Sequence, residues 1–146
     1  MWQDCTIYMA GHRGVSGSAL MNAMRGRSYS NLFTRTQAGL DLTQRMQVEA
    51  NCAPAKPDYV LSPSPNVGGT HANDTDCAEF LRASLAIETY IIHSIYLCRA
   101  AHLLVPGSCG ICPRNYHQPV KEDYLTRGRF EANNRSCAVT KRAGID

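Results

Sequence analysis

The stretch Thr6-Ile7-Tyr8-Met9-Ala10-Gly11-His12-Arg13-Gly14-Val15-Ser16-Gly17-Ser18-Ala19 decides how the rest of the chain is read. Thr6 to Ala10 is a mostly apolar, strand-like run. It leads straight into three glycines at every third position, and the helix-compatible run Ser18 to Met24 follows at once. Strand, glycine turn, helix is the order that a dinucleotide pyrophosphate needs. The first glycine makes the tight turn, the second lets backbone approach phosphate, and the third lets the helix pack on the strand. The helix start then offers free N–H groups and a positive dipole end to the anion. A glycine triplet alone also fits a plain turn, but its place between strand and helix favours the phosphate reading. Gly11, His12, Arg13, Gly14, Val15, Ser16 and Gly17 are therefore the candidate cofactor loop.

Composition sets the frame. A chain of 146 residues suffices for one domain with a real core and is short for two. With 44% hydrophobic and 18% charged residues, it reads as globular rather than disordered. The net charge of +3 comes from Lys and Arg scattered along the chain, without the basic stripe that tracks nucleic acid. No apolar run reaches membrane-spanning length: His93 interrupts Tyr90-Ile91-Ile92, and Arg99 stops Ile95-Tyr96-Leu97-Cys98. Met1-Trp2-Gln3-Asp4 lacks the pattern of a secretory signal, so a cytoplasmic location and reduced thiols for the seven cysteines are expected.

Strand-like and helix-like pieces alternate along the chain. Strands are expected at Thr6–Ala10, Asn31–Arg35, Tyr59–Leu61 and Leu103–Val105. Helices are expected at Gly17–Arg25, Thr43–Asn51 and Asp76–Cys98, and a loop at Asn66–Asn73. In the long helix Phe80, Ile87, Ile91, Ile95 and Cys98 recur at helical spacing as the buried stripe. Such alternation predicts an α/β fold: a Rossmann-type, doubly wound parallel sheet in three layers, with strand order 3-2-1-4. The second strand ends in Thr34-Arg35-Thr36-Gln37, with no acidic residue to hold a ribose 2′-hydroxyl. Arg35 there, with Arg13 in the glycine loop, favours the 2′-phosphate of NADP(H) over NAD.

Several segments then resemble one family, the bacterial GDP-L-fucose synthases among the extended short-chain dehydrogenase/reductases. They are Ala10–Ala19, Leu40-Asp41-Leu42-Thr43, Lys56-Pro57-Asp58-Tyr59-Val60, Val67-Gly68-Gly69, His71-Ala72-Asn73, Ile91-Ile92-His93, Gln118-Pro119-Val120-Lys121-Glu122 and Lys141-Arg142-Ala143-Gly144-Ile145. The resemblance implies NADP-dependent epimerisation and reduction of GDP-4-keto-6-deoxy-D-mannose. It adds Asp41, Leu42 and Gly107 to the cofactor set. Ser108 falls on the residue that polarises the ketone, and Lys141 on the lysine that fixes the nicotinamide ribose.

Cys137, four residues before Lys141, stands where the family has its proton-donating tyrosine, and Gly110 where it has an epimerising cysteine. Gln37 replaces a second cofactor-side arginine, and Ser62-Pro63-Ser64-Pro65 replaces a small-residue strand end. These departures, with the family's sugar-nucleotide domain absent after the fourth strand and the start of the helix beyond it, imply one cofactor-binding domain over 1–146. Its turnover is impaired, its stability is marginal, and its fourth strand is an uncovered edge. A GDP-sugar substrate is implied, and the wider family dimerises through the long helix. Two other readings stand beside this one. The first is a nucleotide-binding remnant without turnover. The second is a thiol or metal protein built on Cys109-Gly110-Ile111-Cys112, for which His117 is one further ligand short of a closed site, so no metal is expected.

Overall fold

A computed structural model describes residues 3–62, 75–125 and 127–145. Pro63-Ser64-Pro65 and the loop 66–73, with His71, lie outside the described residues. The chain forms two compact units, Met1–Pro65 with Ala86–Pro106, and Asn66–Leu85 with Gly107–Asp146.

The first unit holds a four-stranded parallel sheet: β1 (Ile7–Met9), β2 (Leu32–Thr34), β3 (Tyr59–Leu61) and β4 (His102–Leu104). Three helices accompany it: α1 (Val15–Gly26), α2 (Arg45–Ala55) and α3 (Cys77–Cys98), the last beginning in the second unit. Side chains alternate across β1, as the pleat requires. Tyr8 and Ala10 face Val48 of α2 and Ile87, Ile91 and Ile95 of α3. Ile7 and Met9 face the other way, onto Met21 of α1. Helices thus cover both faces, and the three-layer α/β fold read from the alternation is present. Each fully buried aliphatic side chain of these clusters contributes about 1.5–3 kcal/mol. Cross-strand rings reinforce the pairing: Tyr8 stacks on Phe33 at 4.8 Å and Tyr59 on His102 at 4.6 Å.

The strand order corrects the expected 3-2-1-4. It is β2-β1-β3-β4, with the third strand on the opposite side of β1 from the second. Burial explains the difference. Val60 and Leu61 are shielded on both faces and suit an interior slot, whereas β2 is half-buried throughout and takes the edge. The chain direction therefore reverses at β1. In open α/β sheets, ligands bind beyond the carboxyl ends of the strands at such a switch point, and the glycine loop leaves β1 there.

Boundaries shift for local reasons. Helix α1 starts at Val15 rather than Gly17, because Gly14 is extended and caps it. Helix α2 starts two residues late, since Asp41 and Thr43 form a turn in front of it, and it runs past Asn51 through Pro54 to Ala55. Strand β4 sits one residue early, and in the stripe of α3 Cys98 is half-buried rather than buried. Beyond each of the three helices the backbone turns through a left-handed, non-glycine residue: Ser28 (φ 64°), Lys56 (φ 39°) and Arg99 (φ 55°).

In the second unit, the helix expected to begin near the end is present: α4 spans Arg135–Ala143, with Ala138, Thr140 and Lys141 buried. It packs on the 3-10 turn Cys109–Ile111.

Candidate cofactor loop and catalytic segment

In the first unit the loop is built by glycine. Gly11 has φ 72°, a conformation that costs a residue with a Cβ about 1–2 kcal/mol. The N–H of Gly14 donates to the Gly11 carbonyl at 3.0 Å and closes the turn. Gly17, buried in the first turn of α1, makes the closest approach. A Cβ there would lie 2.2 Å from the Gly11 oxygen and 2.9 Å from the His12 Cα. Gly14 is less constrained, its Cβ position lying 3.4 Å from the same oxygen.

The result is a shelf open to solvent. Gly11, Arg13, Gly14, Val15 and Ser16 are exposed, Val15 at 91%. No side chain caps α1 and no acidic residue sits in its first turn. The positive end of a 12-residue helix therefore stands bare beside a backbone turn free of Cβ atoms, which fits the pyrophosphate of a dinucleotide. The His12 Nδ1 is buried with no hydrogen-bond partner among the described residues, a further polar atom in the same loop.

At the end of β2, Arg35 is exposed and held in place. Its Nε donates to Asn51 Oδ1 at 3.1 Å and its Nη1 to the Thr34 carbonyl at 3.3 Å. Asn51 as a positioning partner was not legible in the sequence, since only the extension of α2 alongside β2 brings it there. Asp41 is engaged locally. Its Oδ1 accepts from the Thr43 N–H at 2.9 Å and the Thr43 hydroxyl at 2.7 Å, and these bonds hold its carboxyl below the usual range. Leu42 packs against the core.

In the second unit, Ser108 precedes the 3-10 turn Cys109–Ile111, and its Oγ accepts from the Gly110 N–H at 3.2 Å. The hydroxyl proton is then left to donate to an incoming oxygen. Gly107 stands exposed just before it. Cys137 and Lys141 lie one turn apart on α4, on the same side of the helix, with Lys141 at 6% exposure. Packing of α4 on the turn brings this helix to the Ser108 segment. All seven cysteines are free thiols, and among the described residues no cluster of His, Cys, Asp and Glu could hold a metal. No helix among them is long and apolar enough to cross a membrane.

A family model described as the NAD dependent epimerase/dehydratase family matches residues 7–146. The chain belongs to this family. It is 40% identical over 143 residues to GDP-L-fucose synthase 1 of Arabidopsis thaliana, covering 98% of this chain and 44% of that one. The GDP-L-fucose synthase of Escherichia coli strain K12 is 35% identical over 139 residues, covering 95% and 43%. Among solved structures, MlghC, a GDP-mannoheptose C4 reductase from Campylobacter jejuni with NADP bound, superposes with a TM-score of 0.92 at 33% identity. It covers 99% of this chain and 46% of that one. The resemblance seen in the motifs thus holds for plant as well as bacterial synthases, and the chain spans less than half the length of these relatives.

Proposed function

We propose that the chain is the NADP(H)-binding part of an epimerase/reductase of the GDP-L-fucose synthase type, acting on GDP-4-keto-6-deoxy-D-mannose. The observation that carries the reading is the approach of Gly17 to the Gly11 carbonyl, which sets a bare helix start against a turn without Cβ atoms. The similarity to GDP-L-fucose synthases and to an NADP-bound GDP-sugar reductase supports the cofactor and the substrate class.

Gly11, Gly14 and Gly17, with His12, Arg13, Val15 and Ser16, hold the pyrophosphate, and Arg35, steadied by Asn51, takes the 2′-phosphate. NADPH, when bound, supplies the hydride that reduces a ketone. Ser108 donates its hydroxyl proton to the ketone oxygen and polarises it, and the Lys141 ammonium holds ribose hydroxyls. Cys137 occupies the place of the family's tyrosine. Its thiol is shorter than a phenol and suits nucleophilic chemistry better than proton donation to an alkoxide. That residue favours a second reading, a cofactor-binding chain without turnover.

Titration with NADPH and NADH, followed by nicotinamide fluorescence, tests the first part. NADPH binds more tightly, and Arg35→Ala weakens NADPH by about 10-fold or more, the worth of one charge-assisted contact, while leaving NADH nearly unchanged. Tighter NADH binding, or equal losses for both nucleotides, refutes the assignment. Turnover of the keto sugar separates the readings: binding without turnover, with activity gained in Cys137→Tyr, selects the second for the natural chain.

A further inference from the structure

A cavity of about 660 Å³ opens within the first unit, of a size usual for small-molecule sites. Pro57 and Asp58, which lead into β3, line it together with the last turns of α2 and α3. The strands are parallel, so this is the amino end of the sheet, whereas the glycine loop leaves the carboxyl end of β1. The cavity is therefore no part of the cofactor shelf.

Its two ends differ in charge. At the inner end, Glu49 of α2 is half-buried, and its Oε1 takes both the Arg45 Nε at 2.7 Å and the His93 Nε2 at 3.8 Å. Oε2 has no contact among the described residues. Beside His93 stands Ser94, fully buried, whose Oγ has no hydrogen-bond partner among the described residues. At the mouth, Lys56 and Arg99 are exposed, and neither side chain forms a hydrogen bond or ion pair among the described residues. Asp58, also at the mouth, is held toward β1, its Oδ2 accepting from the Thr6 N–H at 2.8 Å. Apolar side chains lie between the ends: Ala53 separates Glu49 from Lys56 along α2, and Leu97 separates Ser94 from Arg99 along α3. At about 1.5 Å per residue, those pairs are roughly 10 Å and 8 Å apart along their helices.

We propose that this cavity binds an elongated zwitterion of the ω-amino carboxylate class, with its ammonium inward and its carboxylate at the mouth. The ammonium donates to Glu49 Oε2 and gives the Ser94 hydroxyl the partner it lacks. Arg99 takes the carboxylate with its planar fork of N–H donors, and Lys56 adds a second positive charge. The methylene chain lies against Ala53 and Leu97, out of water. Spacing selects the class, because a ligand whose two charges adjoin one carbon spans one end of the cavity and leaves the other unmet. A ligand with a single charged end has the same defect.

The test is a saturation-transfer NMR titration of the full chain with 6-aminohexanoate, hexanoate, hexylamine and glycine. Hexanoate, hexylamine and glycine are each expected to bind about 10-fold or more weakly than 6-aminohexanoate, the worth of one charge-assisted contact. Glu49→Gln lowers 6-aminohexanoate to the affinity of hexanoate and leaves hexanoate itself unchanged. Lys56→Gly combined with Arg99→Gly, which suits the left-handed backbone at both positions, lowers it to the affinity of hexylamine. The proposal is overturned if 6-aminohexanoate shows no saturation transfer, if any of the other three ligands binds as tightly, or if Glu49→Gln binds it like the parent. The ligand series on the unsubstituted chain decides this even where a variant fails to fold.

Discussion

Replacing Gly17 by alanine tests the whole account of the loop. The added methyl would sit 2.2 Å from the Gly11 oxygen and 2.9 Å from both the Gly11 carbonyl carbon and the His12 Cα, whereas ordinary contact begins at 3.4 Å. All three neighbours are backbone, so no rotamer change relieves the clash. Either α1 moves off β1 by about 1 Å or the turn opens. Forced expansions of this kind cost about 1–3 kcal/mol, and the loss of the Met21 packing against Ile7 and Met9 places this one at the upper end. For a chain of this length that is a fall of roughly 6–10 °C in Tm. Two companion variants set the scale. Gly14→Ala meets the Gly11 oxygen only at 3.4 Å and is expected to fold within about 0.5 kcal/mol of the parent while binding nucleotide less well. Gly26→Ala finds nothing within 4 Å at the end of α1 and is expected to stabilise by up to about 0.5–1 kcal/mol. Urea unfolding of the three variants gives the ranking. A Gly17→Ala midpoint equal to that of the parent would refute the close approach, and with it the phosphate shelf.

Two further outcomes follow from groups whose ionisation the fold changes. The Asp41 carboxyl is depressed by hydrogen bonds from the Thr43 hydroxyl and N–H, so it adds stability above its unfolded value near 4 and loses it as pH falls through the lower folded value. Thr43→Val is expected to cost about 0.5–1.5 kcal/mol at neutral pH and progressively less as pH falls below the unfolded value near 4, and a difference independent of pH refutes this. Burial drives the Tyr8 phenol well above its ordinary value, so Tyr8 stays un-ionised in alkali until the chain unfolds. Tyr8→Phe should therefore match the parent in native phenolate absorbance and lose one ionisation step only in denaturant.

The glycine turn between β1 and α1 was legible because its signal is local. Glycines at positions 11, 14 and 17 between an apolar run and a helix have few other uses, and Ile87, Ile91 and Ile95 announce their face by spacing alone. Strand order was not local. Nothing within Tyr59-Val60-Leu61 says which side of β1 it joins, although three apolar residues against the mixed Leu32-Phe33-Thr34 hint at an interior place. The path of α2 through Pro54 was hidden by the proline itself, which reads as a breaker and here lies in the final turn. The pairing of Arg35 with Asn51 joins residues 16 apart through tertiary packing and so left no trace in spacing.

The left-handed residues Ser28, Lys56 and Arg99 carry a consequence for engineering. At such helix exits glycine is the residue that pays no steric penalty, while a side chain there costs about 1–2 kcal/mol, offset in part by the stiffer unfolded chain it provides. None of the three belongs to the glycine loop, to Arg35 or to the Ser108 and Lys141 segment. Together they are sites where glycine would harden the scaffold and leave its chemistry untouched.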